Sequence, residues 1–367
     1  LGWIGTEDTR GGGLALGDNL ARLGDQLTGF GTSGWAIALL AGLGLLLVWR
    51  ALRPGTAEGR ARWLDALLVA GCVIPVLFMA TFGNDVRPRH FVAGLPLAPG
   101  QVLEAALELA ADAAASGARW LVLPEYLNAK NASPAEAPDL AVEFPCPAAE
   151  SLAALCRRHG CLALLPLLER RGGRLYNSAR LFDHERVWLH YDKVHPTLTE
   201  RQDWRVVAGD DFPVAETPWG RVGVMICYDA HFPETAACLA AGGADALLYP
   251  ALERGLSRDQ IHLLVRSRAW DHAVVVARAS YGLPPGLSWQ PGMMSGESCI
   301  VAKDGALLAT TGTSAGFALV TVDLGQPRLQ ARSHGQPLVD IRACHDEDRR
   351  RDLYGRWLGR PSGSSST

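Results

Sequence analysis

Apolar positions follow two regimes along this chain. In the first they run together without interruption. Phe30–Trp49 (FGTSGWAIALLAGLGLLLVW) is 20 residues without a charge, and Ala66–Asn84 (ALLVAGCVIPVLFMATFGN) is 19 more. A helix needs about 20 such residues to cross the hydrocarbon core of a bilayer. Pro75 does not forbid one there. The pattern therefore predicts two transmembrane helices over 30–84. The loop Arg50–Asp65 carries Arg50, Arg53, Arg60 and Arg62 against Glu58 and Asp65. Arginine-rich short loops stay cytoplasmic. Both ends, including everything after Asn84, are thus expected on the outer, extracytoplasmic side. Leu1–Gly29 is glycine-rich and mildly acidic and reads as an N-terminal extramembrane segment.

From Arg89 the second regime begins, in which short apolar runs alternate with amphipathic stretches. Strands are expected at His90–Leu95, Trp120 to Glu125, Cys161–Leu168, Leu175–Phe182, Val187–His190, Val214–Thr217, Val222–Ile226, Ala246–Tyr249, Ala273–Ala279, Ser298–Ala302 and Phe317–Val322. Helices are expected at Gln101–Ser116, Ala148–His159, Phe232–Gly242 and Ser257–Asp271. Glu104, Glu108 and Asp112 recur at four-residue spacing and mark a solvated helix face. Asn131–Pro147 reads as a loop, and Asp304–Gly305 as a hairpin turn. This alternation implies an α/β domain with helices covering sheets. Gln326–Thr367 reads as a tail ending in the low-complexity PSGSSST.

Composition narrows the function. The 367 residues carry a formal net charge of −3, with 48% hydrophobic and 20% charged residues. No basic surplus exists to neutralise phosphates, which argues against a nucleic-acid partner. Eight cysteines show no C-x-x-C spacing, and no H-x-x-x-H or H-E-x-x-H appears, so no metal site and no cofactor are expected. Outside the cytoplasm some cysteines other than Cys227 could pair, in a pattern the spacing leaves open.

The candidate chemistry sits at strand ends. Arg221–Glu234 (RVGVMICYDAHFPE) is a buried-strand pattern running straight into Cys227 and a turn. Open α/β sheets place ligands at the carboxyl ends of their strands. A thiol there is a strong nucleophile once a neighbour takes its proton. Taken alone, Cys227 is more simply a buried structural thiol. Two other stretches change that. WLVLPEYLN ends an apolar run in Glu125, and YDKVHPTLTERQDW offers Lys193 and Glu200 just past Val187–His190. A base, a cation and a thiol delivered in this way make one site. His195 and His231 lie nearby in sequence and read as packing or substrate-side residues.

These motifs resemble those of the nitrilase superfamily of carbon–nitrogen hydrolases. That family carries a Glu–Lys–Cys triad, matched here by Leu123-Pro124-Glu125, Tyr191-Asp192-Lys193 and Cys227-Tyr228-Asp229-Ala230-His231-Phe232-Pro233-Glu234, in the family's order and spacing. The resemblance covers about 89–325. It implies a four-layer α-β-β-α sandwich and a tendency to form homo-oligomers. It implies Glu125 as base, Cys227 as nucleophile, and Lys193 with the backbone N–H of Tyr228 as holders of the developing negative charge. It also implies Glu200 as a second, substrate-positioning glutamate. KVHPTLTE is of the nitrilase type, whereas CYDAHFPE is closer to the amidases, so amide and nitrile substrates both stay open. Three functions follow: a membrane-anchored carbon–nitrogen hydrolase, an N-acyltransferase like apolipoprotein N-acyltransferase with a lipid acyl donor, or a membrane-tethered binding module without catalysis. The acyltransferase family has many more membrane helices, including one after its catalytic domain, and no apolar run follows Gly325. Retention of all three triad positions argues against the binding module.

Overall fold

The computed structural model describes residues 99–283, 288, 293, 296–331, 333 and 335–359. The two apolar runs, the strand expected at His90–Leu95 and the tail from 360 lie outside the described residues. Among the described residues no helix is long and apolar enough to cross a membrane.

The order is α1 (Pro99–Ala115), β1 (Trp120–Val122), α2 (Ala137–Leu140), α3 (Pro147–His159), β2 (Leu162–Arg171), β3 (Arg174–Phe182), β4 (Val187–Asp192) and α4 (Leu198–Gln202). There follow β5 (Val214–Thr217), β6 (Gly220–Val224), a 3-10 turn at Cys227–His231, α5 (Pro233–Ala241), β7 (Ala246–Pro250), α6 (Arg258–His272) and β8 (Val275–Ala279). The chain continues through β9 (Cys299–Val301), β10 (Leu307–Thr310), β11 (Leu329–Ala331), β12 (Leu338–Asp340), α7 (Ile341–Asp348) and α8 (Arg351–Leu358).

Two sheets result. One has the order β1-β2-β3-β4, the other β10-β9-β8-β7-β6-β5. Alternation along β2 sorts its side chains between two cores. Leu162 and Leu164 point the same way and join Leu181, Leu189 and Tyr191 against Val222, Val224 and Leu247 of the second sheet. Ala163, Leu165 and Leu167 point the other way, onto Leu152 and Leu155 of α3 and Val102 of α1. Helices α5 and α6 cover the second sheet through Ala236, Leu239, Ile261 and Val265. The layers are therefore α-β-β-α. Strand β7 is buried at every position, as a central parallel strand covered on both faces must be. At Gly223 a Cβ would stand 2.8 Å from Leu239 Cδ2, so glycine lets α5 sit directly on β6.

Most expected elements are present, and Glu104, Glu108 and Asp112 are exposed on α1. Three expectations are corrected. Phe317–Val322 forms no strand: β10 takes the place beside β9 through the turn at Asp304 and Gly305, and Phe317 and Leu319 are left half exposed. The loop 131–147 contains α2. The tail folds into a β11–β12 hairpin and two short helices, of which α7 is capped by the Asp340 carboxylate accepting from Arg342 N.

Candidate active site

Each candidate residue lies where a strand stops. Past β1 the chain keeps pairing with β2 through Leu123 N to Leu164 O, and rejoins it through Leu127 N to Pro166 O, both 3.3 Å. Between these bonds Tyr126 adopts a left-handed φ of 56° and Glu125 turns inward. The Asn128 amide then stands in for strand backbone, donating to Leu168 O and accepting from Leu168 N, each at 2.9 Å. Lys193 follows β4 and stays in its ladder, its N–H donating to Asn177 O at 2.9 Å. Lys193 and Asn177 are therefore cross-strand partners. Glu200 is the third residue of α4. Its carboxylate accepts from Thr197 N at 2.6 Å while Thr197 Oγ1 accepts from Glu200 N, a capping box encoded by Thr197-Leu198-Thr199-Glu200. Cys227 opens the 3-10 turn after β6 with φ of 48°. That conformation costs a residue with a Cβ roughly 1–2 kcal/mol.

These strand ends converge. The Lys193 ammonium donates to Glu125 Oε1 at 2.9 Å and to both oxygens of Glu200 at 3.0 and 2.9 Å. Asn177 Nδ2 donates to Glu125 Oε1 at 2.7 Å and Glu200 Oε1 at 2.8 Å. Tyr126 OH donates to Glu200 Oε1 at 2.5 Å, and Tyr281 OH holds the Glu125 backbone carbonyl at 2.8 Å. Glu125, Lys193, Glu200 and Cys227 are all buried.

Burial separates the two carboxyls. It pushes Glu125 up, and Lys193 only partly opposes that. Burial also pushes Glu200 up, but the Lys193 ammonium and the hydrogen bonds from Lys193, Tyr126 and Thr197 bring it down to about 2. Burial disfavours the Lys193 charge too, yet Glu125 and Glu200 together hold it protonated well above the ordinary lysine range. The Cys227 thiol is pushed up by burial and by Glu125, with Lys193 pulling the other way. Glu200 is thus the fixed counter-ion, and Glu125 is the carboxyl poised to exchange a proton.

Asp229 locks the thiol turn to the lysine strand. Its Oδ2 accepts from Ile226 N at 2.9 Å and Tyr191 OH at 2.7 Å, and its Oδ1 accepts from His195 N at 2.9 Å. His195 stacks on Phe232 with centroids 4.0 Å apart, and its Nδ1 lies 2.9 Å from Asp229 Oδ1. Tyr228 is exposed, its ring against His231 and Phe232.

The carbon–nitrogen hydrolase family model matches residues 94–332, most of the chain. The chain belongs to the carbon–nitrogen hydrolase family. It is 30% identical over 264 residues to omega-amidase NIT2-A of Xenopus laevis, covering 69% of this chain and 90% of that protein. It is 32% identical over 229 residues to omega-amidase NIT2 of Homo sapiens, covering 58% of this chain and 79% of that protein. The carbon–nitrogen hydrolase of Helicobacter pylori G27 shares the fold with a TM-score of 0.59 at 22% identity, over 72% of this chain and 94% of that one. The amidase of Nesterenkonia sp. AN1 shares it at 0.55 and 24%, over 72% and 95%.

Several residues around this hydrolase site carry no signal of their own in the sequence. Asn177 reads as an ordinary polar strand position. Tyr249, Glu253 and Arg278 form a second buried group behind the thiol. Tyr249 OH reaches Cys227 O at 3.3 Å and also donates to Glu253, whose other oxygen accepts from Arg278 Nη2 at 2.8 Å. Arg278 Nη1 holds the carbonyls of Gly296 and Glu297 at 2.7 and 2.8 Å. The Thr197–Glu200 capping box, by contrast, does have a sequence signature, Thr-x-x-Glu. A cavity of about 330 Å³ lies apart from these residues, lined by Trp219, Lys303, Arg328 and Arg342.

Proposed function

We propose that this carbon–nitrogen hydrolase is an amidase working through a thioester on Cys227. Glu125 takes the thiol proton, and the thiolate attacks the amide carbonyl. Lys193 and the backbone N–H of Tyr228 hold the oxyanion while Glu200 fixes the ammonium. The C–N bond breaks, and the amine leaves with the proton from Glu125. Water then gives its proton to Glu125 and attacks the thioester, which releases the acid and returns the proton to sulfur. The observation that carries this reading is the Lys193 ammonium held between two carboxylates of opposite tendency beside a buried thiol. The amidase names among its relatives favour amides over nitriles as substrates.

The test is intact-mass spectrometry of the full chain with butyramide, wild type beside Cys227→Ala. An adduct on the wild type that water discharges, absent from the variant, supports the reading. Turnover by Cys227→Ala would end it.

We propose further that the runs 30–49 and 66–84 anchor the enzyme in a membrane with this domain outside. Their length without charge is the support. They also keep an N-acyltransferase reading in view. A long-chain adduct from phospholipid that an added amine discharges, and water does not, would favour that reading over hydrolysis.

A further inference from the structure

Helix α3 ends on a pair of thiols. Gly160, with a left-handed φ of 61°, stops the helix, and the N–H groups of Gly160 and Cys161 both donate to Cys156 O, at 2.8 and 3.3 Å. A helix end of this form folds the residue after the glycine back onto the last turn, where the two side chains usually make an apolar contact. Here both members of that contact are cysteines. Cys156 and Cys161 are 1% and 2% exposed, and their sulfurs are in hydrogen-bond contact. Two sulfurs that touch, on backbone joined this closely, meet the geometric demand of a disulfide.

The fold keeps other thiols away from this pair. Cys146 precedes the first turn of α3, about 15 Å along the helix from Cys156. Cys227 and Cys299 belong to a different core, built around the second sheet, whereas Cys156 and Cys161 lie in the core under α1 and α3. A pair that closes with its own neighbour leaves Cys227 free.

We infer that Cys156 and Cys161 are a disulfide-forming pair, which staples the end of α3 to the start of β2 when the chain folds in an oxidising place. The placement of this domain outside the membrane, proposed above, supplies such a place, and the inference rests on that reading only for where the bond forms. The oxidant is a small or protein disulfide. Contact with Cys156 lowers the Cys161 thiol, burial opposes this, and the Arg119 guanidinium adds to the lowering. Cys161 therefore begins the exchange. Its thiolate attacks one sulfur of the incoming disulfide, and a first thiolate leaves. Cys156 then gives up its proton and attacks the Cys161 sulfur, and a second thiolate leaves. The two protons lost by the cysteines end on the two released thiols, and two electrons pass from the pair to the reagent. Both sulfurs are sealed in the folded domain, so the reagent reaches them as the last turn of α3 forms or frays.

The test follows the chain as it folds. The full chain is synthesised in a cell-free system with detergent micelles and a mixture of reduced and oxidised glutathione. It is then alkylated with iodoacetamide in denaturant and cut with trypsin. Cleavage after Arg157 and Arg158 should leave peptide 131–157 joined to peptide 159–170, with fragmentation placing the bond on Cys156 and the alkyl group on Cys146. Cys156→Ser should leave a glutathione adduct on Cys161 and no joined peptides. The oxidised wild type should unfold about 4–8 °C above the reduced sample, the effect of closing a short loop. Alkylation of both Cys156 and Cys161, a bond on Cys146, or equal unfolding temperatures overturns the inference.

Cells that express the full chain, quenched in acid and alkylated, give the second arm. Joined peptides from cells support both the pair and the outer placement. Peptides that are joined in the cell-free sample but separately alkylated in cells keep the pair and remove the outer placement.

Discussion

Glu125 and Glu200 accept from the same two donors, Lys193 Nζ and Asn177 Nδ2, yet their proton affinities are driven apart. Burial raises both, and at Glu125 it dominates, while at Glu200 the Lys193 ammonium and the hydrogen bonds from Lys193, Tyr126 and Thr197 together outweigh it. Glu125→Gln should therefore lower kcat by about 10²–10⁴-fold, as removal of a general base does. Glu200→Gln should act differently. The negative charge of Glu200 is one of the causes that raise Glu125. Removing it should move the acidic limb of kcat/KM to lower pH, along with any loss in rate. A limb that stays put or moves up would show that Glu125 is not the group that limb reports.

The sign at Lys193 also follows from its partners. Its folded value lies above the ordinary lysine range, so its pairing stabilises the fold fully below that range and is lost as pH rises through the folded value. At Cys227 the ammonium favours the thiolate. Lys193→Met should move the midpoint of Cys227 alkylation to higher pH. A downward movement would mean that the thiolate draws no help from this cation.

Strain at Cys227 can be measured separately from any chemistry. Cys227 has φ of 48°, a region that costs any residue with a Cβ. Cys227→Ala keeps that cost and Cys227→Gly removes it. Against the greater chain entropy of glycine, the glycine variant should still unfold about 0.5–1 kcal/mol later than the alanine variant. Denaturant unfolding of the two inactive variants checks this, and a less stable glycine variant would show that the turn is not strained.

Behind the thiol, Glu253 and Arg278 form a buried pair at 2.8 Å, and Arg278 is nearly inaccessible. Arg278→Met leaves the buried Glu253 carboxylate without its guanidinium and should cost about 3–5 kcal/mol. Glu253→Gln, which keeps one acceptor oxygen for Arg278 and removes the charge, should cost less. It should also ease Cys227 ionisation, because Glu253 is one of the groups that oppose it. An alkylation midpoint that does not fall in Glu253→Gln would remove Glu253 from the electrostatics of the thiol.

What was legible in the sequence, and what was not, has a physical pattern. Glu125, Lys193 and Cys227 end apolar runs, so a one-dimensional reading finds them and their strands together. Asn177 and Arg278 interrupt strands, where a polar side chain reads as a solvent face. Only the packing of sheet on sheet makes these positions interior, and that closure joins segments far apart in the chain. Arg278 stands beside Tyr249 in the β7–β8 register, a relation no local pattern contains. Phe317–Val322 fails in the opposite sense. Its alternation is strand-like, but β10 takes the place beside β9, and a strand without a ladder partner does not form.

Gly209 offers a test of how tightly the lysine must be held. Its N–H donates to Lys193 O at 2.9 Å, a second backbone bond on Lys193 beside the one from Lys193 N to Asn177 O. A Cβ at this position would stand 2.2 Å from Asp192 O. That atom is backbone and cannot rotate away, so Gly209→Ala must displace the Asp192–Lys193 corner. Overpacking of this kind costs about 1–3 kcal/mol. Because the displaced segment carries the ammonium, kcat should fall further than the loss of stability explains, and KM for butyramide should change little. Steady-state kinetics well below the melting transition separates the two effects. A variant that loses stability but keeps kcat would show that Lys193 is positioned by its carboxylate partners alone.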